Sequence, residues 1–232
     1  IDKIMNAIRS LFSNELPLIG KKVLVSAGPT REAIDPVRYI SNRSSGKMGY
    51  ALAEVARDLG AKVTLISGPV ALPQIPEVKM VKVESAVEML SALENSLDKQ
   101  DADYLIMTAA VADYQPANPS NEKLKRKKTA TTLALTPAPD ILKTINSQTK
   151  ATIIAFALET ENGTTEAKRK MDDKGADFIV LNYANEVDAG FESNTNQVQI
   201  FSKTGDEKNL KKDRKDRIAR RIFDFIILDK NR

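Results

Sequence analysis

Residues 23–70 read VLVSAGPTREAIDPVRYISNRSSGKMGYALAEVARDLGAKVTLISGPV and contain the pattern that decides the fold. Val23 to Ala27 form an apolar run of strand length that leads directly into Gly28-Pro29-Thr30. A polar cluster at 42–46 then precedes a helical pattern. Small residues at the end of a strand and at the start of a helix leave backbone N–H groups free to hold an anion. The stretch therefore predicts a phosphate-binding site.

Apolar runs and helical patterns alternate along the rest of the chain. The alternation predicts an α/β, three-layer Rossmann-like fold with a mostly parallel central sheet and helices on both faces. Ligands of such folds bind beyond the carboxyl ends of the strands, where motifs that follow separate strands meet. The predicted strands lie near 23–27, 62–67, 79–83, 103–109, 152–157, 177–181 and 197–201, and the predicted helices near 47–59, 85–97, 139–147, 164–174 and 213–228.

The composition limits the chemistry that the chain can perform. Its 232 residues, 42% of them hydrophobic, are enough to bury a single core. The absence of His and Cys excludes a Ser-His-Asp triad, an imidazole base and a His/Cys zinc site. The net charge of +4 favours anionic ligands. No apolar run reaches the roughly 18 residues that a membrane span needs, so we expect a cytoplasmic protein with no membrane partner.

The longest stretch without an apolar period is 112–132, ADYQPANPSNEKLKRKKTATT. Loops longer than about 12–15 residues in compact domains are usually functional or disordered, so we expect a mobile flap over a ligand. The basic run within it is typical of a solvated loop, and an aromatic content of 5% argues against a nucleic-acid-binding module. The broken glycine patterns at 28–30 and 41–48 disfavour an NAD(P)-dependent oxidoreductase and a P-loop kinase.

A set of motifs occurs in a fixed order along the chain. They are AGPTREAIDPVRYISNRSSGKMG (27–49), AAVADY (109–114), EKLKR (122–126), PDIL (139–142), FALET (156–160) and DAGFESNTN (188–196). Together they resemble phosphopantothenoylcysteine synthetase, a ligase of coenzyme A biosynthesis, from about Gly20 to about Phe225. The resemblance implies a phosphopantothenate–cysteine ligase that is a homodimer with its site near the subunit interface.

The resemblance also implies a two-step reaction. In the first step the carboxylate of 4′-phosphopantothenate attacks the α-phosphorus of CTP, which releases pyrophosphate and leaves an acyl-cytidylate. In the second step the amine of cysteine attacks this anhydride and releases CMP. CTP is expected rather than ATP because the pattern resembles the bacterial members. Mg²⁺ is an expected cofactor whose ligands are unassigned.

The start of the chain resembles a linker. Residues 1–20 are expected to be a helical linker and residues 21–232 the synthetase domain. Residues 1–13 place apolar side chains on one helical face, which is also typical of an ordinary amphipathic helix packed on the body. In bifunctional bacterial members this position joins the synthetase to an upstream decarboxylase, so a multifunctional enzyme with a fused decarboxylase domain is expected.

The resemblance assigns roles to individual residues. Asn42 is expected to act on the acyl-nucleotide intermediate, and Lys123 to stabilise charge in the activation step as the other catalytic residue. Asn42 and Asn182 are expected to contact the substrate. The substrate phosphate is expected at Gly28, Ser44, Ser45 and Gly46, and the nucleotide at Ala109, Ala110, Asp113, Lys123, Pro139, Asp140, Ile141, Phe156, Lys170 and Lys174.

The same residues also have ordinary structural interpretations. The cluster at 42–46 can be a helix cap, Asp113 a loop cap and Phe156 a core residue. Lys170 and Lys174, four positions apart, are typical of a solvated helix face.

Lys47 is likewise interpreted as a solvated helix residue, outside the expected site. The chain departs from the family at Ala138, Leu158 and Asn194, where Asn, Ala and Asp are common.

Overall fold

The computed structural model describes residues 16–126, 128–159, 163–183 and 193–230. The helix predicted within 1–13 lies outside the described residues. The strands are β1 (Lys22–Ala27), β2 (Arg31–Ala33), β3 (Tyr39–Ser41), β4 (Lys62–Ser67), β5 (Lys79–Lys82), β6 (Tyr104–Met107), β7 (Tyr114–Pro116), β8 (Leu135–Pro137), β9 (Thr152–Glu159), β10 (Phe178–Tyr183), β11 (Thr195–Ser202) and β12 (Glu207–Arg214). The helices are α1 (Lys47–Asp58), α2 (Ala86–Gln100), α3 (Ile141–Asn146), α4 (Gly163–Lys174) and α5 (Lys215–Lys230).

An eight-stranded sheet forms the centre of the protein, in the order β12-β11-β10-β9-β6-β1-β4-β5. The strands from β10 to β5 are parallel, whereas β11 is antiparallel to both of its neighbours. After β1 the chain continues to β4 on one side, and it returns to β6 on the other side only after β5. The carboxyl ends of β1 and β6 therefore form the switch point at which such sheets bind ligands.

Alternate residues of the central strands build two separate cores. Val23, Val25 and Ala27 of β1 pack with α1 and α5 on one face of the sheet. Leu24 of the same strand belongs to the core on the other face, with α2, α3 and α4. This alternation is the two-residue period of a strand, and both faces are covered because the side chains from Val23 to Ala27 are all apolar or small. The predicted three-layer Rossmann-like fold is confirmed.

Two small hairpins lie outside the sheet. Strands β2 and β3 pair with each other, and β7 pairs with β8. The second hairpin brackets most of the stretch at 112–132 for which a flap was predicted, and β7, which lies within that stretch, was not among the predicted strands. It was missed because a strand of three residues is too short to show a period.

The edge strand β12 was also missed. Its sequence, EKNLKKDR, has one buried side chain, Leu210, and it was assigned in part to a helix predicted over 213–228. Its place in the sheet comes from backbone pairing with β11. Charged side chains on an edge strand are typical, because they block pairing with other chains.

No helix among the described residues is long and apolar enough to cross a membrane.

Candidate functional site

A cleft of about 700 Å³ opens at the carboxyl ends of β1, β6, β9 and β10. The bridge between Pro29 and Ala110 extends the contact of β1 and β6 beyond the sheet, so the loops after these strands leave side by side. The expected site residues that line the cleft are Asn42, Ser44, Ser45, Gly46, Ala109, Ala110, Asp113, Pro139, Asp140, Ile141, Phe156, Lys170, Lys174 and Asn182.

Glycines bring the start of α1 against the end of the sheet. Gly46, the residue before α1, has φ 73°, and a Cβ there would lie 2.8 Å from Val70 Cγ1. A Cβ on Gly49 would lie 2.4 Å from Thr108 Oγ1 and 2.5 Å from Ala27 Cβ. Only residues without side chains allow this approach, and it places the first turn of α1 at the cleft.

Gly28 supports the cleft from behind and does not line it. Its Cα lies 3.4 Å from the position of a Cβ on Gly46, and its own φ is 76°. The structure therefore gives Gly28 a packing contact beneath Gly46, where a direct phosphate contact was expected.

Asn42 joins the loops that follow β1 and β6. Its Nδ2 donates to the carbonyl of Val111 at 2.8 Å and to that of Ala110 at 3.3 Å. Both donor positions of the amide are thus used by backbone. An oxyanion would have to replace one of these bonds, so in this structure Asn42 orders the loop at 109–113.

The wall below this loop is formed by the start of α3. The backbone N–H of Ala138 donates to the carbonyl of Asp113 at 2.9 Å, which ties the two segments together. Asp140 caps α3 by accepting from the N–H of Lys143 at 3.2 Å. The helix was predicted to begin at Pro139, and it begins after Asp140 because the capping residue has extended backbone.

The lysines of α4 reach this wall from one side. Lys170 Nζ lies 2.5 Å from Glu159 Oε1, and Lys174 Nζ lies 3.6 Å from Asp140 Oδ1. Lys170 and Lys174 therefore line the cleft beside carboxylates. An anionic ligand that binds them must compete with these carboxylates or bring a cation of its own.

Asn182, at the end of β10, has a buried side-chain oxygen without a donor in the described part of the chain. A buried acceptor left unpaired costs about 1–3 kcal/mol. Because the residue lines the cleft, a ligand N–H can satisfy this oxygen.

Sequence analysis missed a second group of lining residues. Lys47, Lys215 and Asn196 all line the cleft. Lys215 is buried, and its Nζ donates to the carbonyl of Ser193 at 2.7 Å. Burial, followed by the nearby charge of Lys47, lowers the pKa of Lys215 to about 8. The sequence carries no signal for this burial, because DRKDRIARR reads as the charged start of a surface helix.

Lys123 does not line the cleft. The flap around it is attached to the loop before β3 instead: Ser120 N donates to the carbonyl of Ile34, and Leu124 N donates to Asp35 Oδ2. Asp35 also accepts from Arg38, and these bonds hold the pKa of its carboxyl far below the usual range. The structure thus anchors the base of the flap and leaves Lys123 exposed, away from its own cleft.

The departures from the family lie in or beside the cleft. Ala138 and Leu158 line it, so the change in side-chain size falls on its surface. Asn194 accepts from Lys47 Nζ at 2.8 Å.

Among the described residues, no cluster of three or more acidic residues is placed to hold a metal ion. Within the described ranges, the carboxylates that line the cleft are those of Asp113 and Asp140. Mg²⁺ in nucleotide sites is commonly held by one or two carboxylates together with the phosphates. These residues fit a metal that arrives with a nucleotide.

Comparison with known proteins gives consistent matches. The family model described as the DNA/pantothenate metabolism flavoprotein C-terminal domain matches residues 18–228. A coenzyme A biosynthesis bifunctional protein CoaBC from Vibrio vulnificus (strain CMCP6) is 42% identical over 205 residues, which cover 87% of this chain and 51% of that protein. The chain therefore spans about half the length of this relative.

Solved structures agree with the fold. The crystal structure of the C-terminal domain of a CoaBC protein has a TM-score of 0.77 at 40% identity and covers 93% of this chain and 98% of that domain. A Cab2 mutant in complex with phosphopantothenate-cysteine has a TM-score of 0.71 at 18% identity and covers 99% of this chain and 93% of that one. At 18% identity, the similarity to the Cab2 structure is evidence for the fold alone.

Proposed function

The chain belongs to the family of the DNA/pantothenate metabolism flavoprotein C-terminal domain, and from this premise we propose that it is a phosphopantothenate–cysteine ligase. One observation carries the proposal. The segments expected to hold the nucleotide and those expected to hold the substrate phosphate are far apart in the sequence, yet they line the same cleft. A ligase that joins an acid to an amine through a nucleotide needs this proximity of carboxylate and triphosphate.

The proposed reaction begins with the carboxylate of 4′-phosphopantothenate and the α-phosphorus of CTP. The carboxylate is already a nucleophile, so the protein mainly positions the reactants and offsets charge. Lys170 and Lys174 would hold the triphosphate, and Phe156, half-buried in the wall, would pack against the nucleotide. Pyrophosphate leaves in this step, and the amine of cysteine then displaces CMP.

CTP is proposed over ATP because the motifs of the chain resemble those of the bacterial synthetases, and the loop at 109–113 is suited to a base with an exocyclic amino group. Ala109 and Ala110 leave room for a ring against the backbone, and the carboxylate of Asp113 can accept from an exocyclic amino group. Mg²⁺ bound with the nucleotide would neutralise charge on the phosphates. Asp113 and Asp140 are the residues of this chain that would face it.

Asn182 would bind the acyl substrate or the amine. Its unpaired oxygen accepts one hydrogen bond, and both an amide N–H of phosphopantothenate and the amine of cysteine are suitable donors. Asn42 would hold the loop at 109–113 in place until the acyl-cytidylate forms, and would then donate to it.

A homodimer is proposed from the surface around the flap. Large apolar side chains are exposed on and between the two small hairpins, which are packed together. An apolar surface of this kind is typical of an interface between copies. We call this surface the hairpin patch. It consists of Val37, Tyr39, Tyr114, Leu124, Leu133 and Leu135. Because Lys123 is the sequence neighbour of Leu124 and lies outside its own cleft, we propose that it serves the cleft of the partner.

We further propose that the chain is the synthetase part of a bifunctional protein with an upstream decarboxylase, because its relative CoaBC is named bifunctional and is about twice as long. A cytoplasmic location is proposed because the co-substrate is a nucleoside triphosphate.

The function is tested by pyrophosphate release from the purified chain with Mg²⁺ and 4′-phosphopantothenate, comparing CTP with ATP and adding or omitting cysteine. We expect release that needs phosphopantothenate, prefers CTP and turns over repeatedly only with cysteine. A preference for ATP would contradict the base assignment and keep the ligase. No release with either nucleotide would contradict the ligase itself.

The role of Lys123 is tested by mixing two inactive variants, Asn42→Ala and Lys123→Ala. If Lys123 acts across the dimer, a mixed dimer has one complete cleft, and an equal mixture recovers about one quarter of the wild-type activity. No recovery, with mixed dimers demonstrated by a tag on one variant, would contradict action across the dimer.

A further inference from the structure

Lys47 and Lys215 meet at one end of the cleft although they come from different helices. Lys47 is the first residue of α1 and Lys215 the first residue of α5, and these helices pack together on the same face of the sheet. Lys47 Nζ donates to Asn194 Oδ1 at 2.8 Å, and Lys215 Nζ donates to the carbonyl of Ser193 at 2.7 Å. Two ammonium groups are thus held by adjacent residues of one backbone segment.

This arrangement is electrostatically costly for the protein alone. Lys215 is 7% exposed, and burial of an ammonium group disfavours its charged form. The charge of Lys47 disfavours it further. A dianion brought to this end of the cleft would offset both the burial and the repulsion.

The surroundings fit a phosphate group. Ser44, Ser45 and Gly46 line the same cleft just before α1, and the residue before this helix provides no side-chain cap for its first turn. Hydroxyls and uncapped N–H groups are good donors to phosphate oxygens. The two lysines supply the positive charge that these neutral donors lack.

The other lysines of the cleft come from the opposite layer. Lys170 and Lys174 lie on α4, which packs on the second face of the sheet with α2 and α3. The cleft therefore has one cationic wall from each layer, and two phosphate-bearing ligands can each have a wall of their own.

We propose that Lys215, together with Lys47, binds the terminal phosphate of the acyl substrate. This inference rests on the proposed ligase function and extends it, because it assigns the phosphomonoester to the α1–α5 wall and the triphosphate to the α4 wall. Lys215 is then a specificity-determining residue, since it favours a phosphorylated acid over the same acid without phosphate.

The first test uses inorganic phosphate as the probe and does not depend on catalysis. Phosphate binding is measured by calorimetry on the wild type, Lys215→Met and the control Lys211→Met, whose lysine is exposed on β12. Methionine keeps the length and apolar stem of the buried side chain, so we expect the variant to fold. Phosphate affinity should fall at least 10-fold in Lys215→Met, which is the loss typical of a charge-assisted hydrogen bond. It should remain unchanged in Lys211→Met.

Several outcomes of this test would overturn the inference. They are equal phosphate affinity in all three proteins, an equal loss in both variants, and no phosphate binding by the wild type. Lys47→Met, at a half-buried position, provides a second variant should Lys215→Met fail to fold, and it should also weaken phosphate binding.

The second test separates the two walls by kinetics. Lys215→Met should raise KM for phosphopantothenate about 10-fold or more, leave KM for CTP within about twofold, and lose most of the preference for phosphopantothenate over pantothenate. Lys215→Arg should restore part of this preference. A rise confined to KM for CTP would overturn the assignment. Phosphate binding that needs Lys215, in a chain that releases no pyrophosphate, would instead contradict the ligase function and leave the phosphate site standing.

Discussion

The two lysine pairs of the cleft are built in opposite ways. Lys170 and Lys174 lie one turn apart on α4, and each has a carboxylate within 3.6 Å. Lys47 and Lys215 begin two different helices and donate to an amide oxygen and a backbone carbonyl. The α4 pair is local in the chain and charge-compensated, whereas the α1–α5 pair depends on the docking of two helices.

The difference suits two kinds of anion. In the proposed assignment, the pair compensated by carboxylates would bind a nucleotide that brings its own metal, and the carboxylates would take the place of pyrophosphate when it leaves. In the same proposal, the pair that combines a buried ammonium group with a second one beside it would bind a compact dianion. Under this proposal, the partners of each lysine pair determine which phosphate group the pair prefers.

The largest effect is expected from a substitution that moves α1 away from the sheet and so disrupts the α1–α5 wall. In Gly49→Ala the new Cβ would overlap Thr108 Oγ1 and Ala27 Cβ, at 2.4 Å and 2.5 Å. We expect a loss of about 2 kcal/mol in the free energy of unfolding, as for other overpacked positions, measured by urea denaturation.

The matched control is Gly205→Ala. Gly205 has φ 98° but nothing within 4 Å of its Cβ position, so this change costs backbone strain of about 1 kcal/mol without overlap. Equal losses in the two variants would show that the contact of α1 with the sheet does not explain the need for Gly49.

The next effect breaks the α4 wall. Lys170→Met should raise KM for CTP about 10-fold, because a charge-assisted contact to phosphate is lost, while KM for phosphopantothenate stays within about twofold. Lys168→Met is the control, since Lys168 lies on the same helix but contacts Glu207 and Phe201. If Lys170→Met raised KM for phosphopantothenate instead, the assignment of the two ligands to the two walls would have to be reversed.

A smaller effect is expected in the pH dependence of the free energy of unfolding, to which buried Lys215 contributes. The pKa of Lys215 is lowered from 10.5 to about 8 in the folded protein, chiefly by burial. Between these values the unfolded chain binds more protons, so this residue makes the free energy of unfolding rise with pH. Below about pH 8 the lysine is charged in both states, and its destabilising contribution stays constant.

The measurement is the difference in free energy of unfolding between the wild type and Lys215→Met. From pH 8 to pH 9 this difference should shift in favour of the wild type by about 0.5 kcal/mol, because solvent at the cleft mouth reduces the about 1.4 kcal/mol that one pKa unit represents. A difference that does not change with pH would contradict the burial of the charged group. Lys47→Met, which removes the neighbouring charge, should reduce the slope.

The smallest effect is expected from removing the carboxylate of Asp140, which compensates the charge of Lys174 on the α4 wall. Asp140→Asn keeps the cap of α3, since an amide oxygen can also accept from Lys143 N, but it removes the charge facing Lys174. We expect a change of about 0.3 kcal/mol in the free energy of unfolding, as for other exposed ion pairs. Asp140→Ala, which also removes the cap, should lose about 1 kcal/mol. Equal losses would show that the charge, and not the cap, holds the start of α3.

The central strands could be predicted because burial on both faces leaves a direct trace in the sequence. KVLVSA of β1 and KVTLIS of β4 are short apolar runs between charged and glycine residues. Strand β12 leaves no such trace, because it is held by backbone hydrogen bonds and buries one side chain, Leu210. The pairing of β7 with β8, which brackets most of the flap, likewise joins segments that are separated in the sequence.

The site could be predicted where its residues lie at the carboxyl ends of the parallel strands. The loop at 109–113 comes after β6 and Phe156 lies in the second half of β9, so both reach the edge that these ends share. Asn42 to Gly46, between β3 and α1, line the same cleft. Lys215 could not be predicted, because its burial depends on how α5 docks against α1 and β11. The position of Lys123 outside the cleft of its own chain could not be predicted for a similar reason: the flap is bound to the loop at 34–38 by contacts that have no sequence signature.

The bonds that hold the two lysine pairs also differ in how far they reach along the chain. Lys47 and Asn194 are separated by 147 positions, whereas Lys170 and Glu159 are separated by 11. Closing a long loop costs entropy before any contact offsets it, so non-local contacts form late in folding. A refolding chain would therefore regain its nucleotide wall first, and recovery of phosphate binding would report that the last helix and the edge of the sheet have docked.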